Sequence, residues 1–138
     1  MIFNFEIPGD PKGKGRPRFT RNGRTFTPAE TVRYESLVRT CFTQKYYGAE
    51  TIPQKVPTEV SITAFYSIPK VSKQKQALME SNTELPTKKP DIDNLAKIIL
   101  DALNGIAYHD DAQIVRLTVQ KSYSREPRVA VKISEVIR

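Results

Sequence analysis

Between about Asp93 and Asn104 the chain carries an amphipathic helix that leaves little freedom to the rest of the fold. At about 100° per residue, Leu95, Ala96, Ile98, Ile99, Ala102 and Leu103 fall on one broad apolar arc, and Asp93, Asn94, Lys97, Asp101 and Asn104 fall on the other side. Such a helix is stable only if its apolar arc is laid on a sheet or another helix. Gly105 supplies the C-terminal stop. Leu100 breaks the pattern by sitting on the polar side near Asp93, which predicts contact with another segment or a second subunit.

The remaining patterns supply the surface that this helix needs. Phe3, Phe5 and Ile7 alternate with Asn4 and Glu6 before Pro8-Gly9, the signature of a half-buried strand. Residues 58–67 alternate likewise, with Val60, Ile62, Ala64 and Tyr66 on one side. Val115, Leu117 and Val119 form a third set and Val129, Val131 and Ile133 a fourth, with Ser124–Pro127 expected as a hairpin turn between them. Thr27-Pro28-Ala29-Glu30 reads as a helix start with Thr27 as cap and Glu30 closing a capping box. Tyr34, Leu37, Val38, Cys41 and Phe42 then recur at helical spacing up to a stop at Gly48. A short basic helix is expected around Lys70–Glu80, followed by a polar loop containing Pro86. Residues 12–24 are basic and broken by glycines and prolines, with a possible hairpin around Asn22-Gly23. The expected fold is α/β of the α+β type, a small mixed β-sheet with two main helices packed on one face. At 138 residues it is expected to be a single domain, 1–138.

Charge narrows the function. With 22 Lys+Arg against 15 Asp+Glu the net charge is +7, which suits a polyanionic partner such as nucleic acid. The lone cysteine, Cys41, excludes an internal disulfide and reads as a small buried hydrophobe. There is no long apolar run, and Met1–Glu6 lacks the blocks of a signal peptide, so no membrane partner and a cytoplasmic location are expected.

Against that basic background, carboxylates gather in one region. Asp91 and Asp93 sit two residues apart at the start of the amphipathic helix, Lys97 follows one turn after Asp93, and Asp110-Asp111 stands before the third strand. A purely structural explanation covers part of this: Asp93 could cap the helix, and Asp93/Lys97 could be an exposed ion pair contributing roughly 0.3–0.5 kcal/mol. Asp110-Asp111 adds what that explanation lacks, because a chain returning from Gly105 can bring an acidic side chain back toward Asp91 and Asp93. Such a cluster repels itself and raises a carboxyl pKa unless a hard divalent cation neutralises it. It would suit metal-assisted phosphodiester hydrolysis, with Lys97 offering charge to the phosphate. Arg16, Arg18, Arg21 and Arg24, with Lys12 and Lys14, suit phosphate contact. His109 and Tyr46-Tyr47 carry no comparable pattern and read as surface or helix-end packing. No zinc spacing, P-loop or nucleophilic triad is present, and no organic cofactor is expected.

Lys89-Pro90-Asp91-Ile92-Asp93-Asn94-Leu95-Ala96-Lys97, with Leu100–Gly105 and Asp110-Asp111 downstream, resembles the RusA family of Holliday junction resolvases found in bacteria, phages and prophages. The opening Ile7–Pro11 and the basic Lys14-Gly15-Arg16-Pro17-Arg18 are similar to the phage-type members. The resemblance implies a Mg²⁺-dependent homodimeric endodeoxyribonuclease, with Mn²⁺ a possible substitute, that resolves four-way DNA junctions by paired symmetric nicks in recombination and repair. It implies that Asp91, Asp93, Lys97 and Asp111 are catalytic, that Asp91, Asp93 and Asp111 hold metal with Asp110 as a further candidate, and that a mixed α/β fold presents both acidic sites on a basic surface. Lys12, Lys14, Arg16, Arg18, Arg21, Arg24, Lys88 and Lys89 are the expected DNA contacts. It also implies a bacterial host and a phage or prophage origin. The alternative is a non-catalytic basic DNA-binding protein. A restriction-type nuclease is rejected, since Ala112 stands where its acidic-x-Lys element leads toward lysine.

Overall fold

A computed structural model describes residues 1–137. Its strands are β1 (Ile2–Pro8), β2 (Arg18–Phe19), β3 (Thr25–Phe26), β4 (Thr58–Ser67), β5 (Ile114–Ser124) and β6 (Arg128–Glu135). Its helices are α1 (Ala29–Lys45), α2 (Lys73–Glu80) and α3 (Ile92–Leu103). Four strands form one sheet in the order β1-β6-β4-β5, while β2 and β3 form a separate two-stranded ribbon. β4 runs parallel to β5 and antiparallel to β6, so the large sheet is mixed, as expected.

Strand alternation decides which side of the sheet is covered. Phe3, Phe5 and Ile7 of β1, Val60, Ile62, Ala64 and Tyr66 of β4, and Val129, Val131 and Ile133 of β6 are all buried on one face. α1 and α3 pack together over that face. α3 buries Leu95, Ala96, Ile98, Ile99, Ala102 and Leu103, the arc that its periodicity predicts. Leu100 is half-buried against the same core. At the α1 end, the Phe42 ring meets Phe3 and Phe5 edge-on at 5.1 and 5.4 Å, and Tyr46 meets Phe3 at 4.8 Å. Tyr46 is therefore helix-end packing, whereas Tyr47 is left in solvent.

Two local expectations are corrected. β5 and β6 are not a hairpin: β4 lies between them, and Arg125–Pro127 carries the chain across its end. The residues 125–127 can do so because crossing one strand requires about 10 Å and an extended residue spans about 3.3 Å. α1 starts at Ala29 with Pro28 in the cap position and no side-chain capping bond, so the Thr27/Glu30 capping box does not form. The helix also ends before Gly48, with Tyr46 as its C-cap. The expected short basic helix is present as α2, capped by Ser72 through a bond from the Lys75 amide.

Ile98 has no exposed surface and lies where α3 meets the sheet. Ile98→Ala leaves a cavity in that seam and should cost about 2–5 kcal/mol of unfolding free energy, measured by chemical denaturation. A loss below about 0.5 kcal/mol would contradict the core described here.

Candidate active site

The basic segment is seated against the starts of both main helices. Its Lys14 amide donates to the Asn94 carbonyl at 3.0 Å and its Gly15 amide to Thr31 Oγ1 at 3.0 Å. A Cβ at Gly13 would lie 2.9 Å from Pro90 Cβ, and one at Gly15 would lie 2.7 Å from Thr31 Oγ1, so glycine alone permits this approach. The Lys14 ammonium then reaches Glu35 of α1 at 2.9 Å and Asp101 of α3 at 3.2 Å. Burial depresses that ammonium, but the two carboxylates outweigh it and hold its pKa above the usual value. Lys14 therefore ties helices together, and its charge is spent within the protein. An open groove of about 890 Å³ results, lined by Pro11–Arg18 on one side and by Pro90, Asp91 and Asn94 on the other.

Asp91 is the N-cap residue of α3, without a side-chain capping bond, and Asp93 lies in the first turn. Asn94 Nδ2 donates to Asp91 Oδ1 at 2.7 Å and is the main reason why the Asp91 carboxyl lies below its ordinary range, with Lys89 and Asp93 adding to the effect. The turn before Asp91 is held from the sheet. Tyr66 of β4 donates its hydroxyl to the Pro90 carbonyl at 2.5 Å, and Lys121 of β5 donates to the Lys88 carbonyl. The Lys121 and Lys88 ammonium groups lie 5.0 and 6.0 Å from the Tyr66 ring centre. Burial, then the Asp91 charge, pushes the Tyr66 hydroxyl to about 12. Burial lowers the Lys121 ammonium against the pull of Asp91.

The other acidic residues collect at the far end of α3. Asp110 caps the 3-10 turn Asp111–Gln113 in a reciprocal capping box with Gln113. Gln113 is buried and donates to the Pro53 and Val56 carbonyls at 2.9 and 3.0 Å, which fixes this turn to the chain entering β4. Burial raises the Asp111 carboxyl, and a hydrogen bond and charge from Asp110, then the charge of Asp101, raise it further. The expected meeting of Asp111 with Asp91 and Asp93 does not occur within one chain, and the Asp111 shift comes from burial and then from Asp110 and Asp101.

One chain gathers its acidic residues in two groups, Asp91 with Asp93 and Asp101 with Asp110 and Asp111. The first group lies at the start and the second at the end of α3, a 12-residue helix about 18 Å long. Among the described residues, no three His, Cys, Asp or Glu side chains converge to hold a metal ion. The exposed Asp91 and Asp93 nevertheless fit a hard cation that takes one or two carboxylates, completing its shell with water and substrate phosphate. Lys97 is exposed one turn from Asp93, and Lys12, Arg16, Arg18, Arg21, Arg24, Lys88 and Lys89 are all exposed. His109 is exposed as well. Sequence reasoning missed Tyr66, Asn94, Asp101 and Lys121. Lys121 carried a signal, being a lysine in register with Leu117, Val119 and Tyr123 on the apolar side of β5.

Among known proteins, residues 8–134 match the family model described as Endodeoxyribonuclease RusA. The chain is 39% identical over 138 residues to the uncharacterized protein YqaN of Bacillus subtilis (strain 168), across 96% of this chain and 95% of that one. It is 35% identical over 88 residues to the crossover junction endodeoxyribonuclease rusA of Lactococcus phage r1t, across 63% of this chain and 61% of the phage protein.

The raised Asp111 carboxyl has a thermodynamic signature. A carboxyl whose pKa is higher folded than unfolded holds its proton more tightly in the folded state. Stability should therefore fall as pH climbs from about 3.8, the ordinary value, through the raised one, and then level off. Asp111→Asn should melt above wild type at neutral pH in EDTA, and the gap should close in acid, where both side chains are neutral. A wild-type advantage at neutral pH would contradict this assignment.

Proposed function

The chain belongs to the RusA family of endodeoxyribonucleases, and from that premise we propose that it is a Mg²⁺-dependent nuclease resolving four-way DNA junctions by paired symmetric nicks in recombination and repair. Mn²⁺ is the expected substitute. The observation that carries this reading is the groove in which the Asp91 carboxylate, held low by Asn94, faces a segment bearing Lys12, Arg16 and Arg18.

Asp91 and Asp93 hold the cation, and Asn94 fixes the orientation of the Asp91 carboxylate. Bound Mg²⁺ supplies positive charge to a phosphate that gains negative charge during hydrolysis. The exposed Lys97 adds a second positive charge one helical turn from Asp93. Tyr66 and Lys121 keep the Lys88–Pro90 turn, and hence Asp91, in position when DNA binds. The arginines take phosphate oxygens along the backbone.

A second copy of the chain is part of this reading. β5 is an edge strand with Val115 and Leu117 exposed at 63% and 43%, an apolar edge that a soluble protein usually covers. β5 begins just after Asp111 and reaches Lys121, near Asp91. Antiparallel pairing of two β5 strands would set the start of one beside the end of the other, carrying the partner's Asp111 toward Asp91 and Asp93. The two-fold then matches paired cuts on opposing strands. The phage relative also supports a phage or prophage origin in a bacterial cytoplasm.

Asp93→Asn removes a metal-binding charge at constant size. Cleavage of a labelled mobile four-way junction in Mg²⁺ should fall at least about a hundredfold, while junction binding in EDTA persists. Wild-type rates from Asp93→Asn would refute the mechanism. Wild-type protein that binds junctions and never cuts them would leave a DNA-binding protein without catalysis.

A further inference from the structure

The β2–β3 ribbon, residues 18–26, does nothing for the core. It forms a sheet of its own, and a lone two-stranded ribbon is marginal in water. Yet its tip is well made. The Thr20 amide donates to the Arg24 carbonyl at 2.7 Å, the Gly23 amide to the Thr20 carbonyl at 3.0 Å, and the Arg24 amide to Thr20 Oγ1 at 3.2 Å. Gly23 takes the positive φ of 75° that this turn needs. The ribbon carries Phe19 at 74% exposure and Phe26 at 47%. Because Phe19 pairs with Thr25 and Arg18 with Phe26, the two rings lie on opposite sides and cannot cover each other.

The surroundings identify what covers Phe19. From Pro11 to Ala29 there is no acidic residue, while Lys12, Lys14, Arg16, Arg18, Arg21 and Arg24 all fall there. Among the described residues Arg16, Arg18, Arg21 and Arg24 form no salt bridge. An aromatic ring set among free guanidinium groups suits nucleic acid, where bases offer stacking faces and phosphates take the charge. The ribbon is also rooted in the segment that lines the Asp91 groove, so its base adjoins that groove.

We propose that the 18–26 ribbon is a wedge whose Phe19 ring stacks on a base pair at the branch point of four-way DNA, while its arginines grip the flanking phosphates. This rests on the junction-binding reading and adds the basis of its selectivity. A branch point has base pairs whose stacking partner a ring can replace at small cost, whereas every pair inside a linear duplex is already stacked on both sides. Phe19 thus favours junctions, and the arginines hold either substrate.

The test uses full-length protein in EDTA with four-way junctions carrying 2-aminopurine at the branch point and matched linear duplex. Wild type should raise the fluorescence of the 2-aminopurine, placed as the base that the ring displaces from the pair on which it stacks. Phe19→Ala should abolish the rise and weaken junction binding about tenfold, with duplex binding changed by less than about twofold, and Phe19→Trp should restore both. Arg24→Ala, by contrast, should weaken junction and duplex alike and reduce the salt dependence of each by about one ion. Retention of the rise by Phe19→Ala, or equal weakening on both substrates, overturns the wedge. So does a shift in monomer–dimer balance by sedimentation in place of a DNA effect, which would assign Phe19 to an interface between copies. Wild type that brightens the probe through Phe19 but cuts no junction in Mg²⁺ supports the wedge and removes the nuclease reading. Wild type that cuts junctions without brightening the probe does the reverse.

Discussion

The close passage of residues 13–15 between the starts of α1 and α3 is the contact on which the rest of the site depends. Gly13 and Gly15 lie where a Cβ would collide with Pro90 and Thr31, so the basic segment can approach α3 only as bare backbone. Lys14, between them, secures the passage with its amide on Asn94 and its ammonium on Glu35 and Asp101. A half-buried cation with two carboxylate partners is costly to break from one side, so the segment is held to the helices while they remain packed. The flanking cations Lys12 and Arg16 are thereby left exposed along the groove that holds Asp91. A residue that resembles a phosphate contact is thus the fastener that makes its neighbours available as phosphate contacts.

The two acidic groups are held in opposite electrostatic states. Asp91 stands at a helix N-terminus with an amide donor and lysines nearby, which favours its charge. Burial, and then its neighbours Asp110 and Asp101, disfavour the charge of Asp111. Asp91 therefore carries its charge readily, while Asp111 stores repulsion that a cation would relieve. Keeping the groups at opposite ends of α3 spares the chain one large concentration of negative charge. Lys14 partly neutralises the second group through Asp101.

The sequence made local, periodic features legible and left long-range order dark. The α3 arc was readable residue by residue because large apolar side chains at helical spacing admit one orientation. Strand alternation exposed four strands for the same reason. The order of those strands was not readable: Ser124–Pro127 indicates only that the chain reverses, and β4, forty-seven residues upstream by its end at Ser67 relative to Ile114, takes the place between β5 and β6. The Thr27 cap failed because local propensity competes with tertiary contacts: the α1 start is instead packed by Pro28 and by Thr31, whose hydroxyl accepts from Gly15. At the site, Asp91, Asp93, Asp110 and Asp111 were visible as charges against trend. Tyr66 and Lys121 act on a turn twenty or more residues away, and only the sheet register brings them there.

The length of α3 then constrains how activity can be assembled. A 12-residue helix holds Asp91 and Asp111 on opposite sides of its span, and a packed helix does not shorten. Within one chain the second acidic group could reach the first only by unfolding the α3–β5 connection, which Gln113 fastens to Pro53 and Val56 and Tyr108 fastens to the Leu100 carbonyl at 2.6 Å. Bringing in the same group from a second copy leaves both fastenings intact. On that route cation binding and pairing of chains strengthen each other, because each reduces the repulsion or supplies the ligand that the other needs. A lone chain would then be a weak metal binder and a poor nuclease. Cutting would be confined to the paired state, in which two sites face two strands at once.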